Sequence, residues 1–201
     1  LIQIQQLFLF INHLPHYQIL NVLGLILSGI GTAGLVWFII GIWLIVHEEK
    51  KDLPAKASPK ALQAGHWFFF SIALAGGMSW FMVEVILKPF VARSRPGLEL
   101  GAILVGSTMN DSYSFPSGHA TIAFAMAVVL SKKEPKWRRI FYILAIAISL
   151  SRIYLGKHYP LDVVLILTAL SFVFSQVIKP SKEFFRFVFL DASVIFFVLI
   201  S

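Results

Sequence analysis

The sequence predicts an all-α, polytopic membrane helix bundle of about six transmembrane helices, preceded by a short N-terminal interfacial helix. Three observations carry that expectation: 58% of the 201 residues are apolar, only 13% are charged, and the apolar residues gather in six stretches. Soluble domains carry about 25% charged residues, and a mean hydropathy of +0.81 is not that of a water-facing surface. The composition excludes disordered, collagen-like and disulfide-scaffold classes and speaks against a soluble enzyme. With no cysteine there is no disulfide, thiolate metal site or cysteine nucleophile. Residues 1–201 are expected to form a single membrane-embedded domain. The start at Leu1 rather than methionine predicts that a few residues precede it, and no signal-peptide pattern is present.

Leu1–Asn12 (LIQIQQLFLFIN) interleaves Gln3, Gln5, Gln6 and Asn12 with large apolar residues. That pattern suits an amphipathic helix lying in the interface; a frayed terminus is the alternative. Spans are expected at about Ile19–Val46, Trp67–Leu87, Ala120–Leu130, Ile140–Leu150, Leu161–Ile178 and Phe184–Ile200. The first is long enough to cross with tilt, and the second, fifth and sixth are close to the ~20 residues a crossing requires. The third and fourth reach that length only by including Ser117 to His119 and Ser151 to Arg152. Membranes tolerate such polar residues where they face a bundle interior or a water-filled cavity. The two polar ends are therefore expected to line one site.

Charge placement gives orientation. Twelve of the 17 basic residues fall in the loops after spans one, three and five: Lys50, Lys51, Lys56 and Lys60; Lys132, Lys133, Lys136, Arg138 and Arg139; Lys179, Lys182 and Arg186. Basic loops stay cytoplasmic, so both termini and the remaining cations, Lys88, Arg93, Arg95, Arg152 and Lys157, are expected to face outward. The net charge of +7 is thus mainly a topology signal, and no nucleic-acid partner is expected. The run Gly29-Ile30-Gly31-Thr32-Ala33-Gly34 fits a dinucleotide fingerprint, but that fingerprint needs a strand before it and a helix after it, and this run lies inside a span. It reads instead as small residues that let helices pack closely.

The outward-facing cations cluster beside two histidines. Lys88 and Arg95 close span two, Ser114-Phe115-Pro116-Ser117-Gly118-His119 opens span three, and Arg152 ends span four, with His158 and Asp162 just beyond. Arginine offers a fork of donors matched to phosphate oxygens, and lysine a mobile point charge. Pro116 suits the first helical position, which would leave the Ser117 and Gly118 amides free at a helix N-terminus, an anion site. The ligand implied is a phosphate-like dianion. No acidic cluster suits a divalent metal, so no metal or other cofactor is expected. Histidine can itself attack phosphorus if its second nitrogen is held as a donor. His158 fits, with Asp162 one helical turn away, and His119 remains as general acid. His13, His16, His47 and His66 read as interfacial or core histidines, and Glu84 as an ion-pair partner of Lys88 one turn away. Asp191 pairs with a neighbouring span or lines a cavity; Arg93 and Lys157 are headgroup contacts or rim charges.

Lys88-x6-Arg95-Pro96, Pro116-Ser117-Gly118-His119 and Ser151-Arg152-x5-His158-x3-Asp162 together resemble the three signature motifs of the type 2 phosphatidic acid phosphatase superfamily. That superfamily also includes vanadium haloperoxidases and some soluble acid phosphatases. The match covers every signature position over about 75 residues. The resemblance implies a metal-independent membrane phosphatase acting on a lipid phosphate at the outer face, similar to the small members that act on phosphatidylglycerol phosphate or undecaprenyl diphosphate. It implies His158 as nucleophile, Asp162 as its orienting group and His119 as acid. Lys88, Arg95, Ser117, Gly118 and Arg152 would bind the phosphoryl oxygens. One alternative is a vanadium-haloperoxidase-like peroxidase, since vanadate suits the same oxyanion site. Another is a non-catalytic lipid-phosphate binder or transporter, against which the intact histidine pair argues.

Overall fold

The computed structural model describes residues 2–51, 59–106 and 112–164, and among them the regular elements are all helical. α1 (Ile2–Asn12) leads into α2 (Gln18–Ile30), α3 (Leu35–Lys51) and α4 (Pro59–Trp80). A π-helical segment (Phe81–Leu87) and α5 (Lys88–Val91) continue α4, followed by α6 (Gly118–Lys133) and α7 (Arg138–Tyr154). A further helix begins at Pro160. Most of the expected fifth span, the whole sixth span with Asp191, and the loop bearing Lys179, Lys182 and Arg186 lie outside the described residues.

The bundle is organised around α6. Ala120, Ala123, Ala125 and Ala127 are buried, as is every residue from Ala120 to Ser131, because small side chains let α4 and α7 approach closely. The apolar run Ala120–Leu130 is short because protein surrounds it. α7 is apolar on both faces: Phe141, Ala145 and Ile148 face inward, while Ile143, Ile146 and Leu150 are exposed. With Ile19 and Ile26 on α2 and Phe69 and Leu74 on α4, these form an outer surface suited to lipid. The main core joins Trp37 of α3, Ile72 of α4, Met126 of α6 and Ile148 of α7. A smaller cluster of Phe8, Ala102, Ala120, Ile153, Tyr159 and Val163 supports the loops at one end.

Among the described residues, Phe68–Val91 is the one continuous helix long and apolar enough to cross a membrane. The single tilted span expected over Ile19–Val46 is instead broken: α2 and Leu35–Leu44 of α3 meet at 65°. The break falls on the small residues Gly31 to Gly34. Gly34 adopts φ +71°, a left-handed conformation that glycine takes without strain. A Cβ on Gly31 would lie 2.8 Å from Ile148 Cγ2 and 3.3 Å from a His119 ring carbon. These glycines therefore pack closely, as expected, and also turn the chain across the top of α6 and α7.

α1 is helical, and its end is anchored rather than frayed. The Asn12 side chain is buried and donates to the Ile103 and Tyr154 carbonyls, both at 2.9 Å, while accepting from the Ile103 amide at 2.7 Å. A buried polar group left without its partner costs roughly 1–3 kcal/mol. Asn12→Ala is expected to lower the thermal midpoint in detergent by several degrees, whereas Phe10→Ala, at an exposed position, leaves it unchanged.

Candidate active site

His158 sits in the turn between α7 and the helix that begins at Pro160. Gly156 makes that turn possible: its φ is +73°, and a Cβ there would lie 2.6 Å from the Ile103 carbonyl oxygen. The His158 ring is 1% exposed, and Nδ1 lies 2.7 Å from the Ser114 carbonyl. A carbonyl only accepts, so Nδ1 carries the proton and Nε2 the lone pair. Arg95 NH1 lies 3.4 Å from Nε2, consistent with that assignment. Burial pushes the imidazole below its ordinary 6.5, to about 4, with the Arg152 and Arg95 charges acting in the same direction and Asp162 opposing them. The ring is neutral at physiological pH, with Nε2 unprotonated.

Asp162 does more than orient His158, and does that less directly than its spacing suggests. Its Oδ2 is 3.7 Å from His158 Nδ1, beyond hydrogen-bond range. Oδ1 accepts from Arg93 NH1 at 2.9 Å. Oδ2 accepts from the Ser114 hydroxyl and, at 2.7 Å, from the Tyr159 amide. The last contact is half of a capping box: Pro160 is the first helical residue, and Asp162 reaches back to the preceding amide. Asp162 thereby fixes Ser114, whose carbonyl holds His158. Arg93 also lies over the Tyr159 ring, 4.3 Å from its centroid.

The phosphate-type donors gather beside this turn. Arg95 is braced by the Ser112 carbonyl (2.8 Å), the Ser112 hydroxyl (2.9 Å) and the Lys157 carbonyl (2.8 Å). Arg152, in the last turn of α7, donates through NH1 to Ser28 Oγ, while its buried Nε has no partner. Ser117 is the N-cap of α6, a position where serine ordinarily bonds a first-turn amide. Here it makes no such bond, and its buried Oγ is unpartnered. An orphaned hydroxyl and an orphaned guanidinium N–H at one end of the bundle are what an anion site requires. Two details depart from expectation. Pro116 precedes the helix, because Ser117 takes the cap position and α6 begins at Gly118. The Ser117 amide is not free either; it donates to the Asp162 carbonyl at 2.9 Å. The first-turn amides from Gly118 onward remain the free donors of that helix end.

His119, in the first turn of α6, lies with Nε2 3.3 Å from Thr32 Oγ1. Thr32 itself donates to the Ser28 carbonyl at 3.1 Å, so the hydroxyl is left to accept from the ring. Lys88 Nζ bonds Glu84 Oε1 at 2.7 Å, the ion pair expected from their spacing. Gly118 faces this pair, since a Cβ there would lie 3.1 Å from Glu84 Oε1.

All eight predicted site residues thus fall at one end of the bundle. The site also includes Arg93, Ser112, Ser114, Ser28 and Thr32. Arg93 stood in the sequence as an unassigned outward cation, and Ser114 stood inside the motif run before His119. Ser28 and Thr32 carry no signal beyond being hydroxyls one turn apart within a span. His13 bonds the Gly101 carbonyl, His16 contacts Asn21 and stacks on Tyr154, and His47 stacks on Trp43, all structural placements. Among the described residues no cluster of three or more His, Asp or Glu could hold a metal ion.

A histidine whose pKa is lower in the folded than in the unfolded chain binds fewer protons when folded between about 4 and 6.5. Its contribution to stability is complete above 6.5 and is lost as pH falls through that window. Thermal midpoints in detergent should therefore fall on acidification, and His158→Gln should flatten the fall. An unchanged slope would place the titrating group elsewhere.

Residues 64–182 match the family model described as the PAP2 superfamily. An undecaprenyl-diphosphatase from Sulfolobus acidocaldarius is 37% identical over 89 residues, covering 42% of this chain and 43% of that protein. A lipid A 1-phosphatase from Rhizobium johnstonii is 28% identical over 155 residues, covering 71% of this chain and 60% of that protein. The chain thus spans about half the length of such relatives. The crystal structure of Aquifex aeolicus LpxE superposes with a TM-score of 0.62 at 27% identity, covering 86% of this chain and 92% of that one. The fold is shared also with the transmembrane PAP2 type phosphatidylglycerolphosphate phosphatase from Bacillus subtilis, at a TM-score of 0.56 and 22% identity. With more than half of its length matched by the family model, and the three motifs folded into one site, the chain belongs to the PAP2 superfamily.

Proposed function

We propose that this chain is an integral membrane phosphatase that hydrolyses a lipid phosphate or diphosphate through a phosphohistidine on His158, without a metal ion. The substrate is a glycerolipid phosphate or a polyprenyl diphosphate such as undecaprenyl diphosphate. The observation that carries this reading is the neutral, buried His158 with Nε2 unprotonated, at the same end of the bundle as the unpartnered donors Ser117 Oγ and Arg152 Nε. Mere binding needs the donors alone; a lone pair held among them serves attack.

Lys88, Arg95, Arg152, the Ser117 hydroxyl and the Gly118 amide hold the phosphoryl oxygens and take up the charge that develops in the transition state. His158 Nε2 attacks phosphorus as the bond to the leaving oxygen breaks. His119 gives that oxygen a proton, then takes one from the water that cleaves the phosphorus–nitrogen bond. Asp162 positions His158 through Ser114 and stabilises the charge the ring acquires. The whole of residues 1–201 forms one domain of about six spans, with the site facing outward and α1 in the interface. The exposed apolar faces of α2, α4 and α7 support the membrane setting, and the lipid phosphatases among its relatives support the substrate class.

Phosphate release by purified protein from a panel of lipid phosphates tests this reading. Activity should survive EDTA, be inhibited by vanadate, and fall at least ~10³-fold in His158→Gln, given the scale of contributions from acid–base and covalent groups. Loss with EDTA and rescue by magnesium would overturn the metal-free mechanism. General acid catalysis is typically worth ~10²–10⁴-fold, and a poor alkoxide leaving group needs it more than a phosphate does. His119→Gln should therefore lose far more kcat/KM on phosphatidate than on a polyprenyl diphosphate. Orientation is testable because the chain has no cysteine of its own. Glu99→Cys should react with an impermeant thiol reagent in intact cells and Ala57→Cys should not; the reverse pattern would invert the topology.

A further inference from the structure

A cavity of about 200 Å3 opens beside His119, lined by Gly31, Trp80, Glu84, Gly118, His119 and Ile122. It is smaller than the ~300 Å3 at which drug-sized pockets begin, so it suits part of a headgroup rather than an acyl chain. Its charge differs from that of the phosphoryl site. Neither Arg95 nor Arg152 lines it; its charged wall is Glu84. Lys88 is engaged by Glu84 Oε1 at 2.7 Å, so the pair is neutral. Among the described residues Glu84 makes no other hydrogen bond, which leaves Oε2 to accept from a ligand. Trp80 lies one turn before Glu84 on the same helix and is half exposed, offering a broad apolar face. A carboxylate acceptor beside an open indole suits a neutral alcohol bearing hydroxyls, whose O–H groups donate to one and whose C–H face lies on the other.

The side of the site matters because His119 is the acid. As His158 Nε2 bonds to phosphorus, the electrons of the breaking P–O bond go to the leaving oxygen, and the His119 proton converts it to a neutral hydroxyl. The leaving group therefore occupies the cavity His119 lines. An alcohol would be uncharged there after protonation. A second phosphate would stay anionic, with no cation in the cavity wall and with neighbouring Lys88 already neutralised by Glu84.

We propose, resting on the phosphatase reading above, that this cavity is the leaving-group subsite. In it Glu84 and Trp80 select lipid phosphate monoesters whose alcohol carries free hydroxyls, a glycerol or sugar unit, over lipid diphosphates. The test is kcat/KM for phosphate release from lysophosphatidic acid, whose leaving group is a neutral monoacylglycerol, and from farnesyl diphosphate, by the detergent-solubilised full chain and by Glu84→Gln. The ratio of the two substrates does not depend on how much of a preparation is folded. The wild type should favour lysophosphatidic acid at least tenfold, and Glu84→Gln, which leaves the Lys88 charge uncompensated and keeps an acceptor, should narrow that preference at least fivefold. A wild-type preference for the diphosphate, or a ratio that Glu84→Gln leaves unmoved, overturns the proposal while the phosphatase reading stands. Release from neither substrate, nor from any other lipid phosphate, overturns both.

Discussion

The site depends on one buried carboxylate. Asp162 is excluded from solvent, and a charge so placed is strongly destabilising unless it is paired and hydrogen-bonded. The chain meets that demand from three places: Arg93 beyond α5, Ser114 before α6, and the Tyr159 amide at the start of the next helix. Satisfying the carboxylate thus gathers the segments that hold the candidate site residues. Ser114 then presents its carbonyl to His158, and the Asp162 carbonyl takes the Ser117 amide. His158 and Ser117 are thus registered against the same residue. Removing the charge would leave Arg93 and Ser114 without their acceptor, a loss of about 3–5 kcal/mol for a broken buried pair, and would loosen chemistry and fold together.

Around that centre the bundle resolves a conflict between burying helices and keeping polar groups at their ends. α6 is almost wholly enclosed, which needs alanines along its length and glycines at Gly31 and Gly34 where the broken α2–α3 pair crosses it. The same break brings Ser28 to Arg152 and Thr32 to His119. A feature that weakens a span as a simple membrane helix is therefore what supplies polar contacts to two site residues. The cations keep one another from being neutralised by acids: the described carboxylates near them, Glu84 and Asp162, are already paired with Lys88 and Arg93. Arg95 and Arg152 are left for an incoming anion.

Much of this was legible in the sequence. Charged and polar residues at membrane depth have few bland explanations, so Lys88, Arg95, Ser117, His119, Arg152, His158 and Asp162 stood out against an apolar background. The helices α4, α6 and α7 followed from uninterrupted apolar runs between basic loops. What was hidden is hidden for physical reasons. The direct partner of His158 is a backbone carbonyl, and every residue has one, so spacing pointed to the nearby carboxylate instead. Ser28 and Thr32 lie 124 and 87 positions from their partners, and only tertiary packing joins them. Arg93 had the same sequence signature as a rim charge; its fate depended on Asp162 being sealed from water. The π-helical segment Phe81–Leu87 rests on a shift of backbone hydrogen bonds that composition does not encode.

The central claim is that His158 Nε2 forms a covalent bond to phosphorus. The direct measurement is to mix the full chain with lipid substrate carrying a 32P-labelled terminal phosphate, quench within milliseconds into alkaline detergent, and count label on the protein. The account predicts alkali-stable, acid-labile label, mapped to the peptide containing His158, and none in His158→Gln. Turnover by the wild type with no such label at any quench time, or equal label on His158→Gln, would contradict it.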